Sequence, residues 1–197
     1  MAGRIRAITM SDTLTPAPVD ITAHAVRVLT LYSLAEFQSG QASTIGVSAE
    51  GTSFSVGDNG RGHAVDRTVD GSPYLQFIYT HLEYPFAAVK GGPVQLHGIG
   101  ISLLNALCSE LSVTVHRAGE TLRITYRAGH LCHEERLATR TNSTGNTVSG
   151  IVSPHLQQVS TNIEHIEGWL LDVLASSPGH KLHLNGKELH APRANAA

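Results

Sequence analysis

The chain has 197 residues, enough to bury one hydrophobic core and short for two. Sixteen acidic side chains against fourteen Lys and Arg leave a net charge of −2, with no basic surplus for a phosphate backbone, so nucleic acid is not an expected partner. Two cysteines, Cys108 and Cys132, make no disulfide framework, and no apolar run reaches the roughly 18 residues of a membrane span; a cytoplasmic protein is expected.

Residues 1–19 are rich in Thr, Pro and Ala and read as a flexible arm; one domain over 20–190 and a tail at 191–197 complete the predicted organisation. Asp20 is the expected N-cap of a helix running to about Ser39, with Gly40 just past its end. Val26, Leu29, Ser33 and Phe37 share its core face, and Val28, Tyr32 and Glu36 form the neighbouring stripe. Two strands follow, Thr44–Ser48 and Thr52–Val56, turned by Glu50-Gly51.

The second strand runs into Asp58-Asn59-Gly60-Arg61-Gly62. A carboxylate at a strand end can accept from an exocyclic amine, and the glycines let backbone approach a flat ring. The same residues also make an ordinary turn signal. Residues from about His63 to Val94 are punctuated by Gly and Pro, with a helical turn or two expected at Tyr74–His81; so long a loose segment suggests a lid.

Gln95-Leu96-His97-Gly98-Ile99-Gly100 opens an apolar helix in which Ile101, Leu104, Leu107, Cys108 and Leu111 fall at core spacing. Unpaired N–H groups at a glycine-rich helix start favour an anion such as phosphate. Strands are expected at Leu111–His116 and Thr121–Arg127, joined by Arg117-Ala118-Gly119-Glu120, and again at Leu131–Leu137 and Thr147–Val152. A helix over Thr161–Ala175, a strand at Lys181–Leu184, an Asn185-Gly186 turn and a short last strand end the chain. The order suits an α+β fold, a two-layer α/β sandwich with helices on one face of a largely antiparallel sheet.

Together the two glycine stretches resemble the ATP-binding (Bergerat) fold of the GHKL superfamily, closest to the B subunits of DNA gyrase and topoisomerase IV. Asp58 to Gly62 resembles the Asp-x-Gly-x-Gly box, and QLHGIGISLLNAL (95–107) the gyrase phosphate-binding stretch. The hairpin at Val115–Glu120 and the turn Thr144-Gly145-Asn146-Thr147 fall where the family has matching pieces. The resemblance implies ATP or ADP as ligand. Asp58, with Asn59, Gly60, Arg61 and Gly62, would hold adenine, and Thr147 would lie nearby. His97, Gly98, Ile99 and Gly100 would cradle phosphates, residues 66–94 would form a lid, and Lys90 would reach a phosphate. Tyr32 would lie along the pocket, and Glu36 and Arg117 would face each other across its rim, with Arg61 competing for the same glutamate.

The departures carry equal weight. Where the resembled family has a water-activating glutamate and, one turn on, a Mg²⁺-binding asparagine, an ungapped count arrives at Val28 and Tyr32. Valine takes no proton, and a phenol is a poor ligand for Mg²⁺. The expectation is an adenine-nucleotide binding module with impaired or absent hydrolysis, acting with a protein partner. The alternatives are an ATPase with a displaced base (Glu36 or His24) or with residues supplied by a partner, and a decoy for gyrase-directed inhibitors. The family's N-terminal arm and transducer segment are not recognised in the chain, and strand passage is not expected of it. His130, Cys132, His133 and Glu134 are candidate metal ligands by type only: alternation splits them between two faces, so an exposed strand with no metal is expected.

Overall fold

Asp20 caps the first helix, α1 (Ile21–Gln38), by accepting from the Ala23 N–H at 2.9 Å, and Gly40, at φ +70°, ends it. The structure is a computed structural model that describes residues 18–81, 97–138 and 142–191. Thr22, Ala25, Val26, Leu29, Thr30, Ser33 and Phe37 are the buried face of α1, at the helical spacing the sequence predicts.

The hairpin β1 (Thr44–Glu50) and β2 (Ser53–Asp58) pairs in register from Ile45↔Asp58 to Glu50↔Ser53. A small hairpin, β3 (Thr68–Val69) with β4 (Ser72–Pro73), leads to α2 (Tyr74–Thr80). After α3 (His97–Leu107) the chain makes β5 (Cys108–Arg117), β6 (Glu120–Arg127), β7 (His130–Ala138) and β8 (Gly145–Val152). It ends with α4 (Ile163–Ala175), β9 (Lys181–Leu184) and β10 (Lys187–Glu188). Eight strands form one sheet in the order β10-β9-β1-β2-β8-β5-β6-β7. Only the β1–β9 pair is parallel, because α4 returns the chain to the same end of the sheet before β9 begins.

Alternation decides which side of the sheet is core. Ile45 and Val47 of β1, Phe54 and Val56 of β2, Leu111, Val113 and Val115 of β5, Leu122 and Ile124 of β6, and Val148 of β8 are all buried. Their cross-strand neighbours on the other face, such as Ser55, Ser149, Ser112 and Thr125, are small and polar. Ile101 and Leu104 of α3 and Ile166 and Leu170 of α4 join the same core. Helices on one face of a mostly antiparallel sheet make the two-layer α/β sandwich expected from the element order.

One local expectation changes, and another is met within a longer segment. The apolar helix stops at Leu107, and Cys108 begins β5 opposite Val152; from there a period of two, with strands on both sides, outcompetes continued helix. Part of the segment read as lid, residues 66–81, is β-hairpin and helix, with Leu75, Phe77, Ile78 and Tyr79 buried. The remainder of the lid, including Lys90, lies outside the described residues.

Candidate functional site

β2 delivers Asp58 to the helix-facing side of the sheet, since its partner Ile45 is fully buried there. Both carboxylate oxygens are oriented. Ser33 on α1 donates its hydroxyl to Oδ2 at 3.0 Å, and the Gly60 N–H donates to Oδ1 at 2.9 Å. A carboxylate oxygen has more than one lone pair, so Asp58 keeps acceptor capacity for an incoming amine.

Close backbone packing holds the box. Gly62 has φ +72°, and a Cβ there would lie 2.5 Å from the His116 carbonyl. A Cβ on Gly145, at φ +126°, would overlap the Asp58 carbonyl. Arg117 donates to the Gly62 carbonyl at 2.7 Å, and the His63 N–H donates to Asn146 Oδ1 at 2.8 Å. The hairpin end of β5, the start of β8 and the box therefore form one block, although 55 residues separate Gly62 from Arg117.

Glu36 is claimed by one arginine. Arg61 donates through Nη2 to Oε1 at 2.8 Å and through Nε to Oε2 at 3.1 Å, and its own N–H adds a third bond. The hydrogen bond from Arg61, opposed by partial burial, holds the Glu36 carboxyl below its usual range. The expected Glu36–Arg117 pair is thus replaced: Arg61 stands close after Asp58 in the box and reaches both oxygens, while Arg117 is used on the Gly62 carbonyl.

Two other sequence candidates stand elsewhere. Asn59 accepts from the Ser43 and Thr44 N–H groups at 2.9 Å each and so staples the entry of β1. Thr147 pairs with Gly57 and Thr114 on the sheet face opposite the helices, where a Cβ on Gly57 would meet its Oγ1 at 2.8 Å. Strand parity puts its neighbour Asn146, opposite buried Val115, on the inner side. Ser33, His63 and Asn146 join the candidate site through their bonds at the box, and sequence reasoning missed them. The one available signal was Ser33, a lone hydroxyl in an apolar stripe.

The α1 stripe lines the site lengthwise. At one end Val28 meets the start of α3, so that a Cβ on Gly100 would lie 3.0 Å from Val28 Cγ1. Tyr32 follows, its ring centroid 5.7 Å from His63, which stands 6.3 Å from Tyr74; Arg67 lies 4.7 Å over the Tyr74 ring. Glu36 closes the stripe at the box. Burial, opposed by Glu36 and aided by Arg117, pushes the His63 pKa down to about 4. Tyr79 on α2 is 1% exposed, and neither its hydroxyl nor that of Tyr126, stacked at 5.9 Å, has a hydrogen-bond partner among the described residues. His97, Gly98, Ile99 and Gly100 form the first turn of α3.

Elsewhere the chemistry is thin. Among the described residues no three His, Cys, Asp or Glu gather as a cation site. β7 does contain a bulge at Cys132, but Glu134 is engaged by Gln76 Nε2 at 3.1 Å. His24 lines a separate hollow of about 370 Å³ between the first turns of α1 and α4, with Arg27, His165 and Trp169. No helix among the described residues is long and apolar enough to cross a membrane.

Comparison with known proteins agrees with this fold. The chain is 35% identical over 141 residues to the DNA gyrase B protein of Streptococcus pneumoniae serotype 4, covering 68% of this chain and 21% of that protein. It is 34% identical over 125 residues to the DNA gyrase B protein of Campylobacter jejuni, covering 59% of this chain and 16% of that protein. The 43K ATPase domain of Thermus thermophilus gyrase B, solved in complex with an aminocoumarin, matches with a TM-score of 0.71 and 27% identity, over 84% of this chain and 44% of that one. No family model matches. The chain spans about a fifth of the length of the first of these relatives.

Proposed function

We propose that this chain, a GHKL-type domain like the ATPase domain of gyrase B, is an adenine-nucleotide binding module with impaired or absent hydrolysis. The observation that carries the reading is the Asp58 carboxylate, oriented by Ser33 and Gly60 at the end of β2 with acceptor capacity to spare. The exocyclic amine of adenine is a donor of the kind this carboxylate would take. The first turn of α3, opposite Val28, would receive the phosphates on its free N–H groups.

Hydrolysis needs a base near the attacking water. Val28 cannot serve, and the Arg61 hydrogen bonds that hold the Glu36 carboxyl below its usual range make it a weaker base. His24 stands one turn before Val28, about 6 Å along the axis, and lines the separate hollow beside α4 with Arg27, His165 and Trp169. The module would then act through its nucleotide-dependent conformation on a protein partner. An ATPase completed by a partner is the alternative in which those missing groups come from outside. A decoy for gyrase-directed inhibitors is a third reading, motivated by the retained Asp58, Gly62 and Arg117.

Titration of the full chain with ADP, followed by calorimetry or amide chemical shifts, tests the reading. Saturable binding that Asp58→Asn weakens by tenfold or more, about 1.4 kcal/mol, is expected. No binding at millimolar ADP, or binding unaffected by Asp58→Asn, refutes it.

A further inference from the structure

Magnesium demands hard oxygen ligands in near-octahedral geometry and gives up its waters reluctantly. The stripe of α1 that runs from the start of α3 to the box offers no such ligand. Val28 is hydrocarbon in contact with Gly100, and Tyr32 presents its ring to His63. Glu36, the first carboxylate along the stripe, is charge-paired with Arg61 and stands about 12 Å along the axis from Val28. Asp58 is oriented by Ser33 and Gly60 at the opposite end from α3. Among the described residues, those along this site therefore do not fit the divalent cation that ATP chemistry implies. A hydrated ion carried in on the phosphates would stand against Val28 and the Tyr32–His63 rings and lose solvation with nothing to replace it.

Resting on the nucleotide-binding reading, we propose that this site takes its ligand as the metal-free nucleotide, so that magnesium competes with the protein for ADP. Charge compensation then comes from the start of α3 and solvent, with no bridging ion. The distinction matters functionally: such a module responds to free nucleotide, a quantity set by the balance between nucleotide and magnesium, and not to the magnesium chelate.

The test is calorimetric titration of the full chain with ADP in EDTA and again in excess magnesium chloride. The expected result is a dissociation constant lower in EDTA than in magnesium, with apparent affinity falling as magnesium is added; equal affinity in the two buffers counts against competition. A Mn²⁺ titration of the protein–ADP mixture, read by water proton relaxation, is expected to show no enhancement beyond that of Mn²⁺–ADP alone. Binding that is clearly tighter in magnesium, or a relaxation enhancement that needs the protein, overturns the metal-free proposal and leaves nucleotide binding standing. Absence of binding in both buffers overturns both.

Discussion

Ser33, in the buried stripe of α1, donates its hydroxyl to Oδ2 of Asp58 at 3.0 Å, joining the helix layer to the end of β2. That bond spends one buried hydroxyl of a mostly apolar helix face on orienting the carboxylate. Ser33→Ala is expected to cost about 1 kcal/mol of stability, the usual net worth of such a bond, and to weaken ADP binding several-fold. Urea unfolding and calorimetric titration of the same variant separate the two effects; unchanged binding would detach Ser33 from the site.

Glu36 answers to pH through Arg61. Its folded pKa lies below the ordinary value of 4.5, so its contribution to stability is full above that value and is lost as pH falls through the lower, folded one. The clamp is half open to solvent, with the Arg61 side chain 60% exposed, so salt should weaken it. Glu36→Gln is expected to lower the urea midpoint at pH 7 and to converge on the wild type as pH falls from 4.5 through the lower, folded value. A difference that persists at acid pH would point to packing as its cause.

His63 works over a different window. Its folded pKa of about 4 is below the ordinary 6.5, so between those values the unfolded chain holds more protons and stability falls with falling pH. The loss is of order 2–3 kcal/mol by about pH 4, since each pH step of one between the two values costs about 1.4 kcal/mol. His63→Gln is expected to flatten the stability curve between pH 6.5 and about 4. Imidazole ¹⁵N shifts should report a neutral ring at about pH 5, and a protonated ring there would contradict this placement.

Gly62 separates conformation from crowding. Gly62→Ala sets a Cβ 2.5 Å from the His116 carbonyl at φ +72°, whereas Gly51→Ala, at φ +55°, meets nothing within 4 Å. The control is expected to lose about 1 kcal/mol and Gly62→Ala clearly more, with weakened ADP binding. Equal losses in urea unfolding would show that the box tolerates a methyl group.

Much of the scaffold was legible because its causes are local. Asp20 and Gly40 delimit α1 through groups within a few residues of each end. Arg117-Ala118-Gly119-Glu120 and Asn185-Gly186 turn the chain by their own positive φ values. The Asp58 box and the helix start at His97 were likewise visible as glycine patterns, and their resemblance to a known pair of motifs is what made them candidates for the two ends of a site.

Partner choice was not local, and tertiary structure decided it. Arg61 and Arg117 were both available to Glu36; the close approach of Gly62 to His116 commits Arg117 to a carbonyl and leaves Glu36 to Arg61. Between Asn146 and Thr147 the sequence offered only adjacency. The register of β8 against β2 and β5 turns Thr147 outward and Asn146 toward His63, because one residue along a strand is the difference between two faces. Composition, periodicity and turn chemistry thus determined the elements, and the resemblance of the two glycine stretches pointed to the two ends of the proposed site. Which side chains meet between those ends was settled by pairings across 25 to 83 residues, where long-range register and packing outweigh any local preference.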